Sequence, residues 1–309
     1  MKDHLRSLSL FLPIKVQEKI KYLHEGLSQR SFANQSKKTL NCGKFSLEAP
    51  SSHPIDDLAS IQPYRDLCIG IAAKYFGKKY PNGAFLDVGA NIGDTAAIMA
   101  TYSDNDIHAI EPSSIYFDFL LKNARKIKSI KRCEQVFVSD GSNLTGTLSH
   151  WGGTAFVKEV SSTTVIKTKR LEDVASENTC FAKIDTDGFD FKILKAGLTW
   201  IEKHTPGLLF ENQLESLNDL EESNDILNIL HGLGYNFFLV WDDAGYLLLS
   251  THDHKIIRHL NRYLLHRTKN SYAKHLHYFD ILAIHKKDED VWKLVEKWYE
   301  ELETLQNLE

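Results

Sequence analysis

Apolar residues follow two rhythms along this chain. Between residues 84 and 241, short apolar runs alternate with stretches in which apolar residues recur every three or four positions. The runs predict strands near 84–88, 107–111, 134–139, 181–185, 207–211 and 235–241. The periodic stretches predict helices near 94–102, 113–126, 189–196 and 221–232. Alternation of this kind predicts a parallel sheet covered by helices on both faces. Beyond it, Gly245–Leu249 is expected to hairpin with the preceding strand, a helix follows near 254–267, and Tyr278–His285 reads as a last strand. Residues 141–170 break the rhythm. Gly141, Gly146, Gly152 and Gly153 punctuate Thr- and Val-rich pieces, and Thr163–Lys169 alternates like an exposed strand. A loop or hairpin excursion able to cover an active site is expected there.

The flanks differ. Pro13 can open a helix through Val16, Ile20 and Leu23; residues 28–41 are polar and expected as a loop, and Lys44–Leu47 suits a short strand. Apolar positions between Ile55 and Phe76 predict two helices divided at Pro63, with Gly77 capping the second. Residues 1–50 therefore read as an appendage, 51–287 as one domain and 288–309 as a C-terminal helix. In that helix Val291, Val295, Trp298, Leu302 and Leu305 make a short apolar seam. It is expected to dock on the domain; the alternative is a homo-oligomer formed through it.

Composition narrows the partners. The chain has 309 residues, 42% hydrophobic and 25% charged, with a net charge of −4. No global basic field is available to hold nucleic acid. Residues 1–50 hold nine Lys/Arg against four Asp/Glu, so this end is a solvated tail or meets an anionic membrane surface. Cys42, Cys68, Cys133 and Cys180 lack metal-ligand spacing, and free thiols of a cytoplasmic protein are expected. No apolar run reaches the roughly 18 residues of a membrane span, and Leu8–Ile14 does not read as a signal peptide.

The chemistry-bearing residues gather at predicted strand ends. Ala84–Asp94 reads as strand, tight turn and helix start, with Gly89, Asn91 and Gly93 in the turn. Glycine there can bring bare backbone N–H groups to a ligand, and Asn tolerates positive φ. Glu111 ends the next strand 18 positions after Gly93, where an acid can accept both ribose hydroxyls. A dinucleotide fingerprint would need glycines at 91 and 94, where Asn91 and Asp94 stand. Asp87, two residues before the first glycine, suits a cationic cofactor better than a pyrophosphate; S-adenosylmethionine has a sulfonium, an amine and no phosphate. Ser139–Asp140 end the third strand, and the Asp140 carboxylate can accept from an adenine amine. Asp185 and Asp187 follow the fourth strand, and Glu211–Asn212 the fifth. Asp185, Glu211 and Asn212 are oxygen donors suited to Mg²⁺ or another hard divalent ion. Alternatively Asp185 or Asp187 is a general base toward a hydroxyl, or Asp185 merely caps a helix while Glu211 pairs with Lys183 or a similar residue. The pairs His252/His254 and His275/His277 lack further zinc ligands. His150–Trp151 in the excursion offers a proton acceptor and a stacking surface, or a simple loop anchor.

With these residues the chain resembles the FkbM-type S-adenosylmethionine-dependent methyltransferases. The resemblance rests on Phe85–Gly93, Ala109–Pro112, Val138–Asp140, Lys169–Asp173, Lys183–Asp190 and Leu208–Glu211, and covers about residues 80–215. The family commonly has Glu where Asp187 and Asp190 stand. The resemblance implies an α/β, Rossmann-like, seven-stranded class I methyltransferase sheet with a reversed last hairpin, and methyl transfer to an oxygen. It implies a sugar hydroxyl of a glycan or polysaccharide, or a small-molecule hydroxyl, as acceptor. It also implies that Asp87 and Gly89 face the methionine end, Glu111 the ribose and Asp140 the adenine. Asp185 and Glu211–Asn212 are placed like the metal ligands of catechol and macrolide-sugar O-methyltransferases. A base-methylating enzyme is expected to carry Asn/Asp-Pro-Pro-aromatic after the fourth strand; Asp185–Gly188 stands there instead. A non-catalytic binding or assembly module on the same fold is the remaining rival, and titration with S-adenosylmethionine separates the two.

Overall fold

The protein is described from a computed structural model covering residues 36–55, 62, 64–151, 154–158, 165–186, 188–270 and 276–306. The helix expected through Val16–Leu23 lies outside the described residues. In chain order the elements are β1 (Lys37–Cys42), β2 (Phe45–Pro50), α1 (Leu67–Lys79), β3 (Ala84–Val88), α2 (Asp94–Tyr102), β4 (Asp106–Ile110), α3 (Ser114–Ala124) and β5 (Ile130–Glu134). The excursion holds β6 (Phe137–Val138), β7 (Leu144–Thr145), β8 (Thr147–Trp151), β9 (Thr154–Lys158), β10 (Val165–Ile166) and β11 (Thr168–Lys169). There follow α4 (Leu171–Val174), β12 (Thr179–Ile184), α5 (Asp190–Ala196), α6 (Leu198–His204), β13 (Gly207–Gln213), α7 (Leu217–Gly232), β14 (Tyr235–Asp242) and β15 (Leu247–Thr251). The last are α8 (His254–Asn270), β16 (Tyr278–His285) and α9 (Glu289–Gln306).

Eight strands form the main sheet in the order β15-β14-β16-β13-β12-β3-β4-β5. Strands β13, β12, β3, β4 and β5 are mutually parallel, and β16 runs antiparallel between β13 and β14. This is the expected sheet with its reversed strand; β15 adds an eighth strand by pairing antiparallel with β14. The strand order turns at β3, which lies between β12 and β4. Such a turning point opens a crevice at the carboxyl ends of the strands.

Alternate residues of each central strand feed two cores. Phe85, Phe181, Leu209 and Leu282 pack on the face covered by α1, α2 and α9. Leu86, Ile184, Phe210 and Ile281 pack on the other, with α5, α7 and α8. Residues 37–50, expected within an appendage and as loop up to 41, instead form a hairpin whose Leu47 and Cys42 enter the first core, because β1 pairs along its whole length with β2. Val291, Val295 and Tyr299 of α9 are buried in that core, and Trp298 and Leu302 pack against it. The seam from Val291 to Leu302 is thus covered within the chain.

Three boundaries differ from expectation for identifiable reasons. Helix α1 runs through Gly77 to Lys79 instead of stopping there. A Cβ at Gly77 would lie 2.1 Å from Ser103 Oγ and 2.5 Å from Asn105 Oδ1, so this glycine admits the neighbouring loop and caps nothing. The strand expected over 134–139 is two pieces. Strand β5 is the sheet edge, and its exposed Lys131 and Arg132 disguise it as polar chain, while Phe137–Val138 pair with β11 outside the main sheet. Helix α7 begins at Leu217, earlier than expected, behind a capping box in which Ser216 and Asp219 exchange bonds of 3.1 and 2.8 Å.

Candidate active site

Three residues of the turn after β3 have left-handed backbone: φ is 80° at Gly89, 49° at Asn91 and 91° at Gly93. The turn does not offer its amides to a ligand as expected. Gly89 and Ala90 both donate to the Ile110 carbonyl, at 3.0 and 2.9 Å, and Gly93 donates to the Ala90 carbonyl at 2.7 Å. A Cβ at Gly89 would lie 1.8 Å from the Asp185 carbonyl oxygen. Its absence lets β3 and the end of β12 approach each other. The Asn91 amide donates to Glu111 Oε2 at 2.9 Å, and the Ser113 amide to Glu111 Oε1 at 2.8 Å. The turn therefore aims a carboxylate. Glu111 is buried at the end of β4, with both oxygens fixed by backbone.

Lys183 occupies the centre. It lies on β12, every residue of which is buried, with its side chain 2% exposed. Its ammonium donates to the Gly89 carbonyl at 2.9 Å and stands 3.3 Å from both Asp87 Oδ1 and Asp185 Oδ2. Burial alone would depress its pKa; Asp185, Asp87 and Asp94 outweigh that, and the net shift is upward. Asp87 is fully buried and accepts from Thr95 Oγ1 at 2.6 Å. The Asp185 side chain is 46% exposed, so one end of this network is buried and the other open.

More carboxylates than cations surround Lys183. Asp94, the first residue of α2, is 9% exposed, and its Oδ1 has no hydrogen-bond partner among the described residues. Burial, then the nearby Asp66, pushes its pKa up to about 7 against the pull of Lys183. Asp66 precedes α1 with a left-handed φ of 61°. Burial raises its pKa too, opposed by Arg65 and Lys183. Arg65 faces Tyr278, Asp66, Asp185 and Asp280, which together raise its pKa against the effect of burial.

The residues expected as metal ligands are not brought together. Glu211 and Asn212 are successive on β13 and point to opposite faces of the sheet. Asn212 is buried under the far helices, where it donates to Asn261 Oδ1 at 3.0 Å and accepts from Ser223 Oγ at 2.5 Å. It is unavailable to a metal at the Asp185 end. Glu211 instead pairs across the ladder with Asp280 of β16. Among the described residues no three His, Cys, Asp or Glu side chains are arranged to hold a metal ion. Asp190 fastens this edge: Oδ2 accepts from Thr186 N and Oγ1 at 3.2 and 2.8 Å, and Oδ1 from the Glu211 amide at 3.2 Å.

Asp140 follows β6, outside the main sheet. It accepts from the amide and hydroxyl of Ser142, at 2.9 and 2.5 Å, and meets Lys192 at 3.1 Å. The Ser142 bonds, then Lys192, hold its pKa down at about 2. Asp187 and the His150 side chain lie outside the described residues; the backbone of His150 is in β8, paired with Ala155 of β9. Lys183, Asp94, Asp66, Arg65 and Asp280 were not expected as site residues. A signal existed for two of them: Lys183 and Asp280 interrupt apolar strands, and a buried charge needs a partner.

The family model described as "Methyltransferase FkbM domain" matches residues 87–237. These residues form an FkbM methyltransferase domain. The match runs from Asp87 of β3 into β14, and so holds Glu111, Lys183, Asp185 and Glu211. Three solved structures are similar to this chain. A methyltransferase FkbM from Methylobacillus flagellatus KT is 16% identical, with a TM-score of 0.39, over 65% of this chain and 43% of that one. A precorrin-6y C5,15-methyltransferase from Geobacter metallireducens is 13% identical, with a TM-score of 0.30, over 52% and 66%. A SAM-dependent methyltransferase from Geobacter sulfurreducens, in complex with S-adenosyl-L-homocysteine, is 12% identical, with a TM-score of 0.35, over 75% and 91%. This chain thus spans less than half the length of the Methylobacillus FkbM structure. No curated protein matches it.

Proposed function

We propose that the FkbM domain of this chain is an S-adenosylmethionine-dependent methyltransferase acting on a hydroxyl oxygen. The observation that carries the reading is the buried Glu111 carboxylate, fixed by the Asn91 and Ser113 amides at the strand-order turning point. An acid so placed suits a ribose. Asp94 Oδ1, unpartnered among the described residues, with Asp87 and Asp66 close by, suits a cationic amine or sulfonium. When bound, the donor supplies a methyl already activated by the positive sulfur. The chain's own residues then bind and align. Glu111 orients the nucleoside, and Asp94 and Asp87 the cationic end. Asp185 stands on the open side of Lys183, where its carboxylate takes the proton of an acceptor hydroxyl aligned behind the methyl. Lys183 holds Asp185 and Asp87 at a common distance, joining the acceptor and donor halves of the crevice. The expected three-ligand metal seat is not assembled, because Asn212 faces away from Asp185.

The family resemblance favours a sugar hydroxyl of a glycan as acceptor. Titration calorimetry with S-adenosylmethionine tests the cofactor, and mass spectrometry of glycans from cells with and without the gene tests the acceptor. The expected results are binding that Glu111→Ala weakens at least about tenfold, and a glycan lighter by one CH₂ unit in the mutant cells. Asp185→Ala is expected to abolish turnover and spare cofactor binding. Absence of cofactor binding would favour the non-catalytic module, and full activity of Asp185→Ala would remove its role as base.

A further inference from the structure

We propose that helix α8 docks this protein on the surface of an anionic lipid bilayer. The proposal is independent of the methyl-transfer reading. Residues 254–270 contain five Lys/Arg and no Asp or Glu, in a chain whose net charge is −4. Ile257, Asn261, Leu264 and Leu265 are buried against the domain. The opposite face exposes Lys255, His259, Arg262 and His266, and beside them Ile256 and Tyr263, which are 44% and 53% exposed. Ile256, His259, Tyr263 and His266 step by three, four and three, so they share one face. Among the described residues no carboxylate lies within ion-pair distance of Lys255, Arg258, Arg262 or Arg267.

A cationic face carrying an exposed aliphatic and an aromatic side chain matches a bilayer interface. Anionic headgroups attract the charges, while the apolar side chains enter the acyl boundary. A long polyanion such as RNA fits less well. The neighbouring helix α7 exposes Glu221 and Asp225, which confine the positive field to a single helix. The placement is also directional. Asn270 stands eight positions before Tyr278, and Tyr278 begins β16 at the carboxyl edge of the sheet, beside Arg65. The docked helix therefore runs toward the rim of the candidate active site.

Co-sedimentation of the full chain with vesicles tests the proposal, comparing phosphatidylcholine alone with an equal mixture of phosphatidylcholine and phosphatidylglycerol. The expected result is pelleting with the mixed vesicles only, reversed by high salt. Lys255→Glu with Arg262→Glu should lower the partition about fivefold or more per residue. Ile256→Ser with Tyr263→Ser should lower it at unchanged charge. These side chains are exposed, so the thermal midpoints should match the parent protein, and each pair of changes checks the other against misfolding. Three outcomes overturn the proposal: no pelleting, equal pelleting with both vesicles, or variants that pellet like the parent, which would place any contact elsewhere, including the basic N-terminal residues. Binding of an RNA oligonucleotide through Lys255 and Arg262 without vesicle binding would overturn it as well.

Discussion

Asp94→Asn removes a buried carboxylate, one of whose oxygens has no hydrogen-bond donor among the described residues, and its effect on stability has a defined pH dependence. Burial raises the Asp94 pKa from 3.8 in the unfolded reference to about 7. The folded protein therefore keeps a proton that the unfolded chain releases above about pH 4. Stability contributed at this site is greatest below the unfolded pKa, declines as pH rises, and levels off above the folded pKa. The full shift of about three units corresponds to about 4 kcal/mol at most. Asparagine has nearly the same shape and no charge, so it escapes that decline. Relative to the parent, Asp94→Asn should gain about 2–3 kcal/mol between about pH 5 and about pH 8, since two of those units lie in the window. Urea unfolding of both proteins at the two pH values measures the difference. A variant destabilised at the higher pH, or a difference independent of pH, would refute the reasoning. The same substitution should weaken S-adenosylmethionine at least about tenfold, because a charge-assisted contact of about 1.5–3 kcal/mol is lost. A more stable protein that binds its cofactor worse is not the outcome expected of a purely structural residue.

Two further substitutions probe the centre of the site. Lys183→Met should cost about 3–5 kcal/mol by leaving Asp87 buried without its cation, and Asp87→Asn in the same chain should recover a large part of it; additive losses in a denaturation cycle would show that the two side chains are not coupled. Gly89→Ala should prevent folding or lower soluble yield sharply, because the left-handed backbone alone costs an L residue about 1–2 kcal/mol and the new Cβ would overlap the Asp185 carbonyl. A soluble Gly89→Ala protein with an unchanged thermal midpoint would show that the approach of β12 to this turn is not tight.

Local pattern alone identified the elements that bury one repeating face. Strands Ala84–Val88 and Tyr278–His285, helix Asp94–Tyr102 and the hairpin from β14 into β15 follow from apolar rhythm and turn residues, because each such signal is carried by neighbours in the chain. The same locality placed Asp87, Glu111, Asp185 and Glu211 at strand ends. What it could not decide was the company each residue keeps. Edge strand β5 has one solvated face and so lacked the apolar run that marks its neighbours. Gly77 and Gly89 owe their lack of a side chain to Ser103 and Asp185, which are distant in sequence. Asn212 follows Glu211 directly, yet the pleat sends the two to opposite faces, so only the sheet could separate them. Lys183 meets Asp87 across nearly a hundred residues because β12 pairs with β3. Sequence alone determined which residues reach the carboxyl edge of the sheet. Tertiary pairing decided which carboxylates share a cation and which, like Asp94, were left wanting one.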